Sequence, residues 1–202
     1  MNAVVRLDPR AYRRTPWKNG GGVTIDVADD YAPGAEPGSW SGMLWRLGRT
    51  RIETPAPFSD LSGFDRILTV IGGRGLWLDI EGGISLDVRE PLRPVRFRGE
   101  DRIVSRLEAG PVTVLNLLAD RTTYDIDVAI LGGGDARPLD ATVSIVYALE
   151  DSAVAIDQSY PLATDEALRV DGAASSLKVA SGRVALATVG VKRAMPSVHD
   201  TR

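Results

Sequence analysis

Read for apolar and polar positions, the chain is a succession of short segments rich in Val, Ile, Leu and Thr, punctuated by Gly, Pro or Asp. The first group is VTIDVA, MLWRLG, DRILTVI, GLWLDI, ISLDV, PVRFR, RIVSRLE and VTVLNLLA. After residue 123 come YDIDVAI, TVSIVYALE, AVAID, ALRV, SLKVA and VALATVG. Two-residue alternation broken by regular turn signals predicts an all-β protein of the sandwich or barrel type. LWLDI-EGG-ISLDV reads as a hairpin closed by a glycine-containing loop. Helix signals are confined to DPRAYRR (8–14), enough for one short turn. LGGGDARP (131–138) reads either as the junction between two lobes or as a long hairpin loop.

Alternation also assigns faces, and some faces carry the wrong kind of residue. In MLWRLG, Met43, Trp45 and Leu47 share one side and Leu44 and Arg46 the other. In DRILTVI, Arg66 shares its side with Leu68 and Val70. In VTVLNLLA, Asn116 lies with Val112, Val114 and Leu118, while Leu115 and Leu117 make the opposite side apolar too. A strand apolar on both sides is central, so Asn116 is expected to be buried, where its amide needs partners. Arg46 and Arg66 read as members of a ligand site, or else as partners of internal carboxylates or residues facing solvent on edge strands; the pattern favours neither reading.

Composition removes several function classes. The 24 basic and 27 acidic residues leave a net charge of -3, which is no footprint of a nucleic-acid binder. With no cysteine there are no disulfides, thiol catalysis or zinc–thiolate sites. The single histidine, His199, belongs to the end of the chain, where segments fray. Ser-His-Asp catalysis and ordinary nitrogen–sulfur metal sites therefore lack their residues. DVADD (26–30) lacks the spacing of a calcium loop and reads as a solvated loop edge. MNAVVRLDPRAYRRT has no apolar signal-peptide core, and no apolar run approaches the roughly 20 residues of a membrane helix. The expectation is a cytoplasmic protein without metal or cofactor.

The segment TPWKNGGGVTIDV (15–27) is the densest in chemistry. Phosphate-cradling glycines precede a helix, whereas these precede a β-branched strand, so a nucleotide loop is excluded on context. The glycines then serve either a turn or the close approach of backbone to a ligand.

In order along the chain, PWKNGGGVT, WRL, PFSDLSGFDRILTVIGGRGL, RFRGED and VLNLLADR resemble the motif series of the HutD/Ves family. The resemblance covers about residues 12–121, with a looser second lobe from SIVYALE to VALATVG. It implies a bicupin: two cupin-type β-sandwich barrels, the first (1–121) holding a pocket and the second (122–202) smaller and ending in a tail. It implies no histidine-rich metal motif, and a regulatory, non-enzymatic role in histidine utilisation through a pathway metabolite such as a formylglutamate-like or urocanate-like molecule. The motifs fall on Trp17, Lys18, Asn19, Arg46, Phe58, Arg66 and Asn116, the expected ligand-binding residues. The sequence departs from the family pattern at Gly48, Ala56 and Ile25-Asp26.

Two arginines and Lys18 would make such a pocket cationic, Trp17 and Phe58 would wall it, and Asn19 and Asn116 would supply amide contacts. Arginines favour carboxylates, so the expected partner is a small anionic metabolite, with no nucleic acid or membrane and a homodimer left open. Two other readings stand beside this one. One is a metal-free isomerase or hydrolase using Lys18, Asp65 or Tyr12 as acid or base. The other is an interaction protein with a vestigial pocket.

Overall fold

The computed structural model describes residues 3–18 and 22–192. The strands of the first half are β1 (Ala3–Leu7), β2 (Arg13–Pro16), β3 (Val23–Tyr31), β4 (Met43–Ile52), β5 (Phe64–Gly72), β6 (Leu76–Ile80), β7 (Ile84–Val88), β8 (Val95–Arg98), β9 (Ile103–Leu107) and β10 (Val112–Asp120). Those of the second half are β11 (Tyr124–Gly132), β12 (Ala136–Leu139), β13 (Val143–Ala148), β14 (Ser152–Ala155), β15 (Ser159–Leu162), β16 (Ala167–Asp171), β17 (Ala174–Ser181) and β18 (Arg183–Val191). The helix signal in DPRAYRR becomes one 3-10 turn, Pro9–Ala11, capped by the Asp8 side chain. Among the described residues no helix is long and apolar enough to cross a membrane.

Four antiparallel sheets build the all-β architecture expected from the strand pattern, of the cupin type that the family resemblance implies. A six-stranded sheet (β2-β3-β4-β10-β5-β8) and a three-stranded one (β7-β6-β9) use the first half of the chain. A five-stranded sheet (β1-β16-β13-β18-β11) and a four-stranded one (β12-β17-β14-β15) use the second half, plus the N-terminal strand. β1 pairs with β16, Ala3 opposite Asp171, so the first residues hydrogen-bond into a sheet made by the last third of the chain. β10 is central, with β4 on one side and β5 on the other. LGGGDARP spans the end of β11, a turn and the start of β12, the Gly132 N–H donating to the Asp135 carboxylate across the turn, and so lies within the second half. The EGG hairpin forms with Ile80 opposite Ile84.

The reason β10 is apolar on both sides is now visible. One side faces the interior of the first barrel, where Ile52, Leu68, Val70, Phe97, Val112 and Val114 cluster. The other side, with Leu115, Leu117 and Ala119, packs with Trp45, Leu47 and Ile67 against Ile145, Tyr147, Ala185 and Ala187 of the five-stranded sheet. Sheet-on-sheet packing of this kind buries alternate residues in two cores at once. The second barrel is filled by aliphatic side chains, among them Leu139, Val146, Leu168, Leu177 and Val184, all at 0% exposure. Two ion-paired clamps lace the halves together. Arg169 of β16 bonds Asp30 of β3 through both terminal nitrogens (3.0 and 2.9 Å) and lies over the Trp45 ring. Arg49 of β4 pairs with Asp165, which also takes the Tyr147 hydroxyl, while the Asp165 carbonyl accepts from Tyr12 at 2.8 Å. Burial, reinforced by the Asp165 charge, pushes both tyrosines well above the ordinary phenol range.

Candidate functional site

The first barrel contains a cavity lined on the sheet side by Thr24, Arg46, Thr50, Ile52, Arg66, Leu68, Val114 and Asn116. The pairing register explains why these residues meet. Leu118 of β10 sits opposite Arg46 on one flank and Arg66 on the other, so the two arginines share a row across three strands. Two strand spacings separate them, about 9–10 Å at the Cα atoms. The next row along runs Asp26, Gly48, Asn116, Leu68, and the one beyond it Thr24, Thr50, Val114, Val70. Alternate residues of β4, β5 and β10 thus share one side, and Arg46, Thr50, Ile52, Arg66, Leu68, Val114 and Asn116 among them line the cavity.

The opposite wall is made by segments between strands. Trp17, Trp40, Phe58, Ser59 and Leu61 complete the lining. Residues 56–61 are pinned over the barrel by Ser105 N–H to the Ala56 carbonyl (3.0 Å), Phe58 N–H to the Ile103 carbonyl (2.8 Å) and Leu61 N–H to the Gly99 carbonyl (2.9 Å). Gly99 is needed there, because a Cβ would lie 2.0 Å from the Leu61 carbonyl oxygen. Gly22 has a similar reason: a Cβ would meet the Trp17 indole at 2.9 Å, and its carbonyl accepts the Trp17 N–H. The indole N–H of Trp17 reaches Thr24 Oγ1 at 3.1 Å, and that oxygen lies 2.9 Å from Thr50 Oγ1.

The two arginines are in different electrostatic positions. Arg46 stacks on the Trp40 ring at 4.3 Å, with Nε 3.6 Å from Asp26 Oδ1. Asp26 also takes the Thr15 hydroxyl and an Arg13 N–H, and Arg13 pairs onward with Asp29. Burial lowers the Arg46 pKa, and the Asp26 carboxylate opposes that. Arg66 lies between two aromatic faces, 5.0 Å from the Phe58 centroid and 4.9 Å from that of Phe97. No carboxylate lies within ion-pair distance of Arg66 among the described residues, and its Nε has no hydrogen-bond partner. Burial, with the Arg46 cation adding to it, pushes its pKa down to about 9. Asn116 Oδ1 is likewise buried without a partner.

Of the residues expected at the site, Trp17, Arg46, Phe58, Arg66 and Asn116 line this cavity. Lys18 does not: it is exposed, its ammonium donating to the Asp60 carbonyl at 3.2 Å. Asn19, Gly20, Gly21 and His199 lie outside the described residues. Trp40 and Asp26 were not anticipated. Trp40 was legible only as a lone aromatic among turn residues in APGAEPGSWSG. Asp26 is itself buried, at 4% exposure within β3, and does not stand at the solvated loop edge that DVADD suggested, because Thr24 and Asp26 share the barrel-facing side of that strand. The acid–base candidates lie elsewhere too. Asp65 points away from Arg66, its neighbour in the chain, and accepts from Arg121 at 2.6 Å, which also holds Glu100. Tyr12 belongs to the Asp165 clamp.

A family model described as HutD matches residues 9–187. An uncharacterized 21.2 kDa protein in the hutC 3' region of Pseudomonas putida is 34% identical over 118 residues, 58% of this chain and 59% of that protein. The matched stretch thus spans less than two thirds of that relative. The structure of HutD from Pseudomonas fluorescens SBW25 in a formate condition superposes with a TM-score of 0.79 at 29% identity, over 95% of this chain and 100% of the other. A conserved protein of unknown function from Pseudomonas aeruginosa PAO1 shares the fold, with a TM-score of 0.80 at 22% identity, again over 95% and 100%.

Proposed function

The chain belongs to the HutD family, and on that premise we propose that the cavity of its first lobe (1–121) binds a small carboxylate metabolite in a non-catalytic, regulatory role. The observation that carries this reading is Arg66, a buried cation facing a cavity with no counter-charge among the described residues and an unpartnered Nε. Uncompensated buried charge is costly and is retained where a ligand supplies the missing partner. Around it, Asn116 and the Thr24 and Thr50 hydroxyls offer neutral hydrogen bonds, and Trp17, Trp40 and Phe58 offer apolar walls. A concave, mainly apolar site with a few convergent polar groups is the usual form of a small-molecule site. The position of a relative beside hutC supports a link to histidine utilisation. The second lobe (122–202), filled with aliphatic side chains, serves in this reading as the platform against which the pocket sheet packs.

Lys18, Asp65 and Tyr12 are absent from the cavity lining, which supports binding over acid–base turnover. A thermal-shift screen of small carboxylates, formate included, tests the proposal, since a ligand that binds only the folded state raises the midpoint. A hit should lose its effect in Arg66→Met and should be recovered chemically unchanged after incubation. The absence of any stabilising carboxylate, or a hit indifferent to Arg66→Met, would refute it.

A further inference from the structure

We infer that the cavity is matched to one negative charge: Arg66 takes the carboxylate of a monoanion, while Arg46, already balanced by Asp26, faces the neutral end of the same ligand. The inference rests on the reading of the cavity as a carboxylate site and specifies the charge class that it accepts.

The charges around the cavity can be followed residue by residue. Arg46 and Asp26 are both buried, with side chains 5% and 2% exposed, and lie 3.6 Å apart. Asp26 is shared with Arg13 at 3.2 Å, and Arg13 is shared with Asp29. These two cations and two anions form a chain that leads from the cavity floor to the surface and cancels to zero. Asp65 and Glu100 are taken by Arg121. Lys18 is exposed and bonded to a backbone carbonyl. Residues 19–21, Asn-Gly-Gly, carry no side-chain charge whatever their placement. What remains is Arg66, a single positive charge without a partner among the described residues.

A carboxylate against Arg66 would bring the buried charge to zero and supply the acceptor that its Nε lacks. A second carboxylate on the same ligand would find only Arg46, whose field is already cancelled by Asp26. It would then be a buried, uncompensated anion close to the Asp26 carboxylate, the arrangement that costs most in a low-dielectric interior. An amide or hydroxyl at that end meets no such penalty. Thr24, Thr50 and Asn116 line this part of the cavity with groups that both donate and accept. Trp40 stacks on Arg46 at 4.3 Å, so a neutral acceptor on the ligand would meet the guanidinium at its edge. The two arginines are therefore unequal: Arg66 selects for charge and Arg46 for shape and hydrogen bonding.

Isosteric probes that differ only in charge provide the test. Calorimetry on the full chain at neutral pH would compare fumarate with fumaramate, glutarate with glutaramate, and terephthalate with 4-carbamoylbenzoate. Within any pair that binds, the monoamide is expected to bind at least about tenfold tighter than the dicarboxylate. Asp26→Asn exposes the Arg46 charge and should reduce or reverse that preference by at least about tenfold. A wild-type protein that binds a dicarboxylate as tightly as its monoamide overturns the single-charge assignment and leaves the carboxylate site standing. If Asp26→Asn folds and the preference does not change, the balancing role of Asp26 is wrong. Should that variant fail to fold, the wild-type comparison decides by itself. Binding of none of the six probes removes the carboxylate reading, and this inference with it.

Discussion

Replacing Arg66 by Met is the sharpest perturbation that the structure offers. Met keeps an unbranched apolar side chain between Phe58 and Phe97 and removes the charge. In this cavity the Arg66 pKa falls from the ordinary arginine range to about 9. At about 1.4 kcal/mol per pH unit, that difference is a penalty of roughly 5 kcal/mol on the charged form. The two ring faces return part of it, at about 1–2 kcal/mol each for a desolvated cation. A net stabilisation of about 1–3 kcal/mol is therefore expected for ligand-free Arg66→Met, unusual for a core substitution, most of which destabilise. Because the folded-state value lies below the unfolded one, the penalty is fully present below about pH 9 and relaxes as pH rises beyond it. The advantage of the variant should accordingly shrink above pH 9. Urea unfolding at pH 7 and pH 10, with midpoint and slope fitted separately, measures both effects. The same variant should lose roughly 2–5 kcal/mol of affinity for any carboxylate that binds the wild type. A variant less stable than wild type by about 1 kcal/mol or more would show that Arg66 holds the fold, and the argument for an uncompensated cation would fail.

Gly48→Ser brings a Cβ to 2.3 Å from the Thr24 methyl; a loss of about 1–3 kcal/mol is expected from overpacking, and pairing it with Thr24→Ser should recover most of that loss in the same unfolding assay. Asp165→Ala strips the partner from the half-buried Arg49 and from the Tyr147 hydroxyl, so a loss of about 1–3 kcal/mol is expected, accompanied by a tyrosine absorbance titration at lower pH than in the wild type; unchanged stability would mean that the clamp does not hold the halves together. Arg121 holds the Glu100 carboxyl down to about 2, so the ion pair is intact above the ordinary glutamate range and is lost as pH falls towards 2; a carboxyl carbon resonance of Glu100 that titrates near 4.5 by NMR would contradict the pairing.

Alternation alone determined a good deal of this protein. It grouped Arg46, Arg66 and Asn116 with the residues that share their sides of β4, β5 and β10, because successive residues of a strand point to opposite faces whatever the strand pairs with; the assembled sheets made those sides barrel-facing. It marked β10 as central for the same reason, since both of its faces are apolar. The motif order added Trp17 and Phe58, and both are among the residues that line the cavity. What alternation does not carry is the identity of partners distant in the chain, and charge balance depends on those partners. Whether Arg46 is free or neutralised turns on Asp26, brought beside it by the β3–β4 register and its bulge between Asp26 and Ala28. Arg66 is unpartnered because the strand direction that sends it inward sends Asp65 outward to Arg121. Trp40 covers Arg46 through a connecting segment with no periodicity to read. The pairing of β1 with β16 joins segments more than 160 residues apart, with no local signal in either. Local sequence sets the direction of each side chain, because backbone geometry is local. Only the assembled sheets decide which charge it meets, because Coulombic and packing energies depend on distance in space and not along the chain.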